Sequence, residues 1–108
     1  MLHDAIRERD NKLRYIASHY GLQKQLSKTQ EERAELIQAI SKFQLAENAE
    51  DHFGGMQKIT EEMADVLIML NQIKFLANNG IGLQGMIDQK LDRQIQRIAD
   101  EMSGETES

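Results

Sequence analysis

No proline interrupts this chain, and seven glycines supply most of its punctuation. The sequence is otherwise rich in Leu, Ile, Ala, Glu, Gln and Lys with few β-branched runs, so local propensity favours helix nearly throughout. Gly21 follows Ser18-His19-Tyr20, Gly54-Gly55 stand near the middle, and Gly80, Gly82 and Gly85 form a third break. Four helices are predicted, roughly over 3–19, 22–47, 57–79 and 84–102. The expected architecture is an all-α four-helix bundle. Its second and third helices, joined by a short connection around Gly54-Gly55, pack antiparallel and carry the functional site. Residues 1–102 form one domain, and the polar end Ser103-Gly-Glu-Thr-Glu-Ser108 is expected to be a flexible C-terminal tail.

Helical periodicity assigns the core. On the second helix Leu22, Leu26, Leu36, Ile40 and Phe43 share a broad face, and on the third Ile59, Met63, Val66, Met69, Leu70, Ile73 and Leu76 form a stripe. Leu67, Ile68 and Phe75 carry apolar character round to the far side of the third helix. A helix apolar on more than one side is buried on more than one side, which points to a central position or a subunit interface. A chain of 108 residues encloses only a modest core, so a homodimer or homotetramer built on the third helix is expected.

Beside these stripes one pattern is written twice, in Thr29-Gln-Glu-Glu-Arg-Ala-Glu-Leu-Ile-Gln-Ala-Ile40 and Ile59-Thr-Glu-Glu-Met-Ala-Asp-Val-Leu-Ile-Met-Leu70. At ~100° per residue, Glu32 and Glu35 lie ~60° apart on one helix surface, and Glu62 and Asp65 do the same on the other. Two such pairs on packed helices aim four carboxylates into one cleft, at the margin of the apolar stripes. Acids held that close resist joint ionisation unless a cation lies between them. With no cysteine, zinc–thiolate and disulfide chemistry are excluded. None of His3, His19 and His52 follows a Glu by three residues, so the Glu-x-x-His motif of di-iron bundles is missing and the histidines read as structural or solvated. Oxygen-only ligation favours Mg²⁺, with Mn²⁺ as a substitute. A net charge of −5 argues against a surface that grips duplex nucleic acid through its phosphates. The charged N-terminus lacks a signal peptide's apolar core, and no apolar run is long enough to span a membrane, so a cytoplasmic protein is expected.

Glu31-Glu32-Arg-Ala-Glu35 followed by Glu62-Met-Ala-Asp65 resembles the E-E-x-x-E…E-x-x-D signature of the MazG-like, all-α nucleoside triphosphate pyrophosphohydrolases. The lead-in His19-Tyr-Gly-Leu-Gln-Lys-Gln-Leu26 and the ending Gln89-Lys-Leu-Asp-Arg-Gln-Ile-Gln-Arg97 are similar to the compact members of that group. The resemblance implies that Glu32, Glu35, Glu62 and Asp65 are both catalytic residues and Mg²⁺ ligands. It also implies cleavage of a (d)NTP between its α and β phosphates by metal-activated water, giving (d)NMP and pyrophosphate in a nucleotide-pool house-cleaning role. Glu31 belongs to the signature without an assigned role, and Glu61 is an additional acid. Lys90 and Arg93, three apart on the fourth helix, match a basic pair late in the compact members and are candidates for the β and γ phosphates. Lys28, one turn before Glu32, and Gln25, two turns before it, are candidates for further substrate contacts; Arg97 is a weaker one. There is no tryptophan of the kind that grips the base in some pyrimidine-specific relatives, so a narrow dCTP or dUTP specificity is not expected. A phosphoribosyl-ATP pyrophosphohydrolase-like enzyme and a non-enzymatic helical adaptor or regulator are the alternatives.

Overall fold

The computed structural model describes the backbone of residues 1–107 and the side-chain surroundings of residues 1–104. Four helices and no strand appear among them: α1 (Leu2–Tyr20), α2 (Leu22–Gln44), α3 (Ala49–Ala77) and α4 (Gly80–Glu107). The chain divides into two compact units. Residues Met1–Asn78 hold α1, α2 and α3, and the second unit, from Asn79 onward, holds α4. Within the first unit α2 and α3 pack most extensively and α1 lies mainly against α3.

The glycine at 21 acts as expected. Its φ of 84° is open to glycine without strain, and it closes α1 and starts α2. The break expected at Gly54-Gly55 is not there, and the true connection is 45–48. Asn48 caps α3: its side-chain oxygen accepts from the Asp51 backbone N–H at 2.8 Å while its amide donates to the Asp51 carboxylate at 2.9 Å. Glu50 and Asp51 in the first turn complement the helix dipole. With the start secured there, both glycines fall inside α3. A Cβ at Gly55 would stand 3.2 Å from the Phe43 ring, so this glycine serves close packing rather than a turn. The third break also shifts. Asn78, at φ 51°, takes the left-handed turn that ends α3, and α4 starts at Gly80 with Gly82 and Gly85 inside it. Helix α4 runs past Ser103, where the tail was expected to begin, as far as Glu107; Ser108 lies outside the described residues.

Helices α2 and α3 run antiparallel. Gln25 meets Gln72, Glu35 neighbours Glu62, and Phe43 lies against His52 and Gly55, so numbers rise along one helix as they fall along the other. The contact line follows alternating steps of three and four. On α2 it uses Gln25, Thr29, Glu32, Leu36, Ala39 and Phe43, and on α3 Gly55, Ile59, Glu62, Val66, Met69 and Ile73, all buried or half-buried. Two expectations are corrected by this register. Leu26 and Ile40, assigned to the core, are 40 % and 39 % exposed because they stand one residue round the helix from the true seam. Glu32 and Glu62 are not at its margin but inside it.

Met63 and Leu70, assigned to the core stripe of α3, are likewise exposed, since they too stand one residue round from the seam at Glu62 and Met69. Leu67, Ile68 and Phe75, which the sequence assigns to the far side and a subunit interface, are also exposed. Among the described residues no helix is long and apolar enough to cross a membrane.

Candidate active site

The duplicated pattern has a matching geometry. Glu32 and Glu62 are 8 % and 3 % exposed, and each is reached by a lysine four residues earlier on its own helix. Lys28 lies 3.3 Å from Glu32 Oε1 and 3.3 Å from Glu31; Lys58 lies 2.9 Å from Glu62 Oε1 and 3.8 Å from Glu61. Both ammonium groups are raised above their usual pKa, Lys28 chiefly by its hydrogen bond to Glu32 and Lys58 by its bond to Glu62. Glu31 and Glu61 are exposed, and each shares a lysine with the acid beside it.

The second oxygen of each buried acid, Oε2, has no hydrogen-bond partner. A desolvated carboxylate oxygen left without a donor is unfavourable unless something else compensates its charge. Glu32, Glu35 and Glu62 each bring an oxygen within 4.8 Å of the others. The charge of Glu32, and then that of Glu62, pushes the Glu35 carboxyl above its ordinary pKa. Asp65 is half-buried and is also pushed up, first by burial and then by Glu32 and Glu62. Three of the four sequence-predicted acids thus converge, and the fourth feels the same field. The donor set is carboxylate oxygen alone, which fits a hard divalent cation and not zinc or copper.

Gln25 is buried and donates to Gln72 Oε1 at 2.7 Å across the α2–α3 seam. Thr29, one turn on, donates back to the Gln25 carbonyl at 2.7 Å. Two cavities flank the acids. One of about 620 Å³ is lined by Gln25, Lys28, Met69 and Gln72 with Ile16 and Tyr20 of α1. The other, about 280 Å³, lies between Glu35, Lys42, Lys58 and Glu62. Lys90, Arg93 and Arg97 are on α4 in the second unit, and their part in phosphate binding remains an expectation from the sequence. The sequence reading singled out neither Lys58 nor Gln72 for the site. A signal for Lys58 was present, since Lys28-x-x-Glu31-Glu32 and Lys58-x-x-Glu61-Glu62 extend the duplicated pattern by one helical turn.

Fold and site together define a helical protein that gathers carboxylates from two antiparallel helices into one cluster. The model of the MazG nucleotide pyrophosphohydrolase domain matches residues 21–102, and the chain belongs to that family. The match covers α2 and α3 whole and most of α4. No curated protein and no solved structure matches the chain significantly.

Proposed function

We propose that this chain is a Mg²⁺-dependent nucleoside triphosphate pyrophosphohydrolase that converts (d)NTPs to (d)NMPs and pyrophosphate, clearing the cytoplasmic nucleotide pool. The observation that carries the reading is the pair of buried, partnerless oxygens on Glu32 and Glu62, set beside Glu35 in a chain of this family. Glu32, Glu35, Glu62 and Asp65 would hold the metal. Bound there, Mg²⁺, or Mn²⁺ in its place, would neutralise phosphate oxygens and make water a better nucleophile.

The chain's own groups do the rest. The carboxylates converge where a triphosphate could not approach them bare, which makes cation loading a condition of substrate binding. A carboxylate of the cluster accepts the proton of the attacking water. Lys28, which lines the larger cavity and pairs with Glu32, would contact the α phosphate, and Gln25, bonded to Gln72, would contact the nucleoside. Lys90 and Arg93 would add positive charge from α4.

Pyrophosphate release from a panel of NTPs and dNTPs, assayed with Mg²⁺ and with EDTA, tests the reading. Metal-dependent turnover of several nucleotides is expected. Absence of turnover, together with absence of Mg²⁺-dependent nucleotide binding, would favour a helical adaptor instead. The enzyme is further proposed to work as a homodimer or homotetramer through the exposed side of α3 around Leu67 and Ile68. Sedimentation velocity should then show a species of at least twice the chain mass, converted to monomer by Leu67→Asp; a monomeric wild type would remove this part of the proposal.

A further inference from the structure

The two cavities differ in chemistry, and they lie on either side of Glu32 along the seam. The larger takes its walls from residues 24–31 of α2 and 68–72 of α3, with Ile16 and Tyr20 of α1. The smaller takes its walls from residues 35–42 of α2 and 58–62 of α3. Because α2 and α3 are antiparallel, Glu32 stands between the two, and Glu35 and Glu62 form the near wall of the smaller one. A substrate cleaved at these acids must place its two products on opposite sides of them.

We propose that the triphosphate lies along the seam in one direction, its nucleoside in the larger cavity and its departing pyrophosphate in the smaller one, held by Lys42 and Lys58. This rests on the pyrophosphohydrolase reading and adds an orientation and an anion subsite to it. The larger cavity, at about 620 Å³, is within the range of small-molecule sites and is walled by Ile16, Tyr20, Ile68 and Met69. Its polar feature is the Gln25–Gln72 pair. One amide–amide hydrogen bond joins the two side chains, and the Gln72 nitrogen also reaches Met69 Sδ at 4.0 Å, which leaves the Gln25 oxygen as the acceptor for a base edge. Every base offers a donor, so the pair favours a nucleobase without selecting one. The cations bordering this cavity are engaged, Lys24 over the Tyr20 ring at 5.0 Å and Lys28 with Glu31 and Glu32.

The smaller cavity is charged instead, lined by Lys42 and Lys58 together with Glu35 and Glu62. Lys58 is paired with Glu61 and Glu62, whereas no carboxylate pairs with Lys42 among the described residues. Lysine holds phosphate as a point charge without demanding one geometry, which suits a group that must also leave. In the reaction the water oxygen bonds to the α phosphorus as the bond from that phosphorus to the α–β bridging oxygen breaks. The electron pair stays on the bridging oxygen and departs with pyrophosphate, whose added charge forms on the lysine side. The water proton passes to a carboxylate of the cluster.

Calorimetric titration of inorganic pyrophosphate and of a nucleoside monophosphate, each with Mg²⁺, tests the orientation. Lys42→Ala and Lys58→Ala are each expected to weaken pyrophosphate about tenfold and to leave the monophosphate within about twofold. Lys58→Arg should restore most of the loss. Tyr20→Ala, at an exposed position, should do the reverse, weakening the monophosphate alone. Lys42 forms no ion pair with the clustered acids among the described residues, so its variant reads the subsite without breaking a pair they make. Lysine variants that weaken both products equally, or the monophosphate alone, would overturn the proposed direction. Wild-type turnover combined with unchanged pyrophosphate affinity in both alanine variants would remove the subsite and leave the proposed function standing. A wild type that turns over no triphosphate and binds neither product would remove both.

Discussion

Glu62→Gln is expected to lower kcat for pyrophosphate release by a factor on the order of 10³ while leaving the chain folded. Glu62 is the most buried of the four acids, and its Oε2 has no partner within the protein. Glutamine keeps the volume of the side chain but removes the charge a cation would meet. The fold should survive because the same substitution relieves repulsion with Glu35 and Glu32 in the metal-free state. Steady-state kinetics beside a circular dichroism melt checks both halves. Activity at the wild-type level would dismiss the proposed metal site, and a collapsed melt would show that Glu62 serves the seam more than the chemistry. Lys58 makes the distinction sharper, since Glu62→Gln also weakens its 2.9 Å ion pair, whereas Asp65→Asn removes charge from the same cluster without touching that pair.

The second large effect is thermal. Mg²⁺ added to protein stripped with EDTA at neutral pH is expected to raise the melting temperature by on the order of 10 °C, since a hundredfold excess over Kd is worth about 2.7 kcal/mol of stability. The pH dependence should change sign with the metal. Folding raises the pKa of Glu35 above 4.5, through the charges of Glu32 and Glu62, and that of Asp65 above 3.8, first through burial. The folded state therefore holds these protons more tightly than the unfolded chain. Their stabilising contribution is complete below those ordinary values and is lost as pH rises through the elevated folded ones. Without metal, these two groups lower the melting temperature between about pH 4 and neutrality; with saturating Mg²⁺ the slope reverses, because the cation requires ionised ligands. Melts across that range in EDTA and in Mg²⁺ decide the matter. Curves that coincide in the two conditions would count against any cation at the seam.

Much of this molecule is legible in its sequence. The absence of proline and the spacing of apolar residues give an all-α chain, and the duplicated acids mark the helices that pair. Glycine was the weaker guide. Gly21 ends a helix because its positive φ is needed there. Gly54 and Gly55 end nothing, because Asn48 had already satisfied the first turn of α3 and Gly55 instead packs closely against Phe43. A glycine's role depends on whether a backbone turn or a neighbouring ring claims it, and the second of these is not a local property. The core assignment failed for a related reason. Ranking positions by hydrophobicity favours Leu26 and Ile40, but the line of contact between α2 and α3 passes through Gln25, Thr29 and Glu32. Polar residues can occupy a seam when they answer one another, as Gln25 does Gln72, or when a ligand answers them.

The sequence by itself determined the helical class, the four acids and the family signature, since each is written in local spacing and residue type. Only the tertiary structure decided which atoms of those acids lack a partner, that Gln25 meets Gln72 across the seam, and that a largely apolar cavity and a charged one lie on either side of Glu32. Those properties depend on the register of two antiparallel helices, and a shift of one residue would turn each side chain about 100° away from its present neighbour.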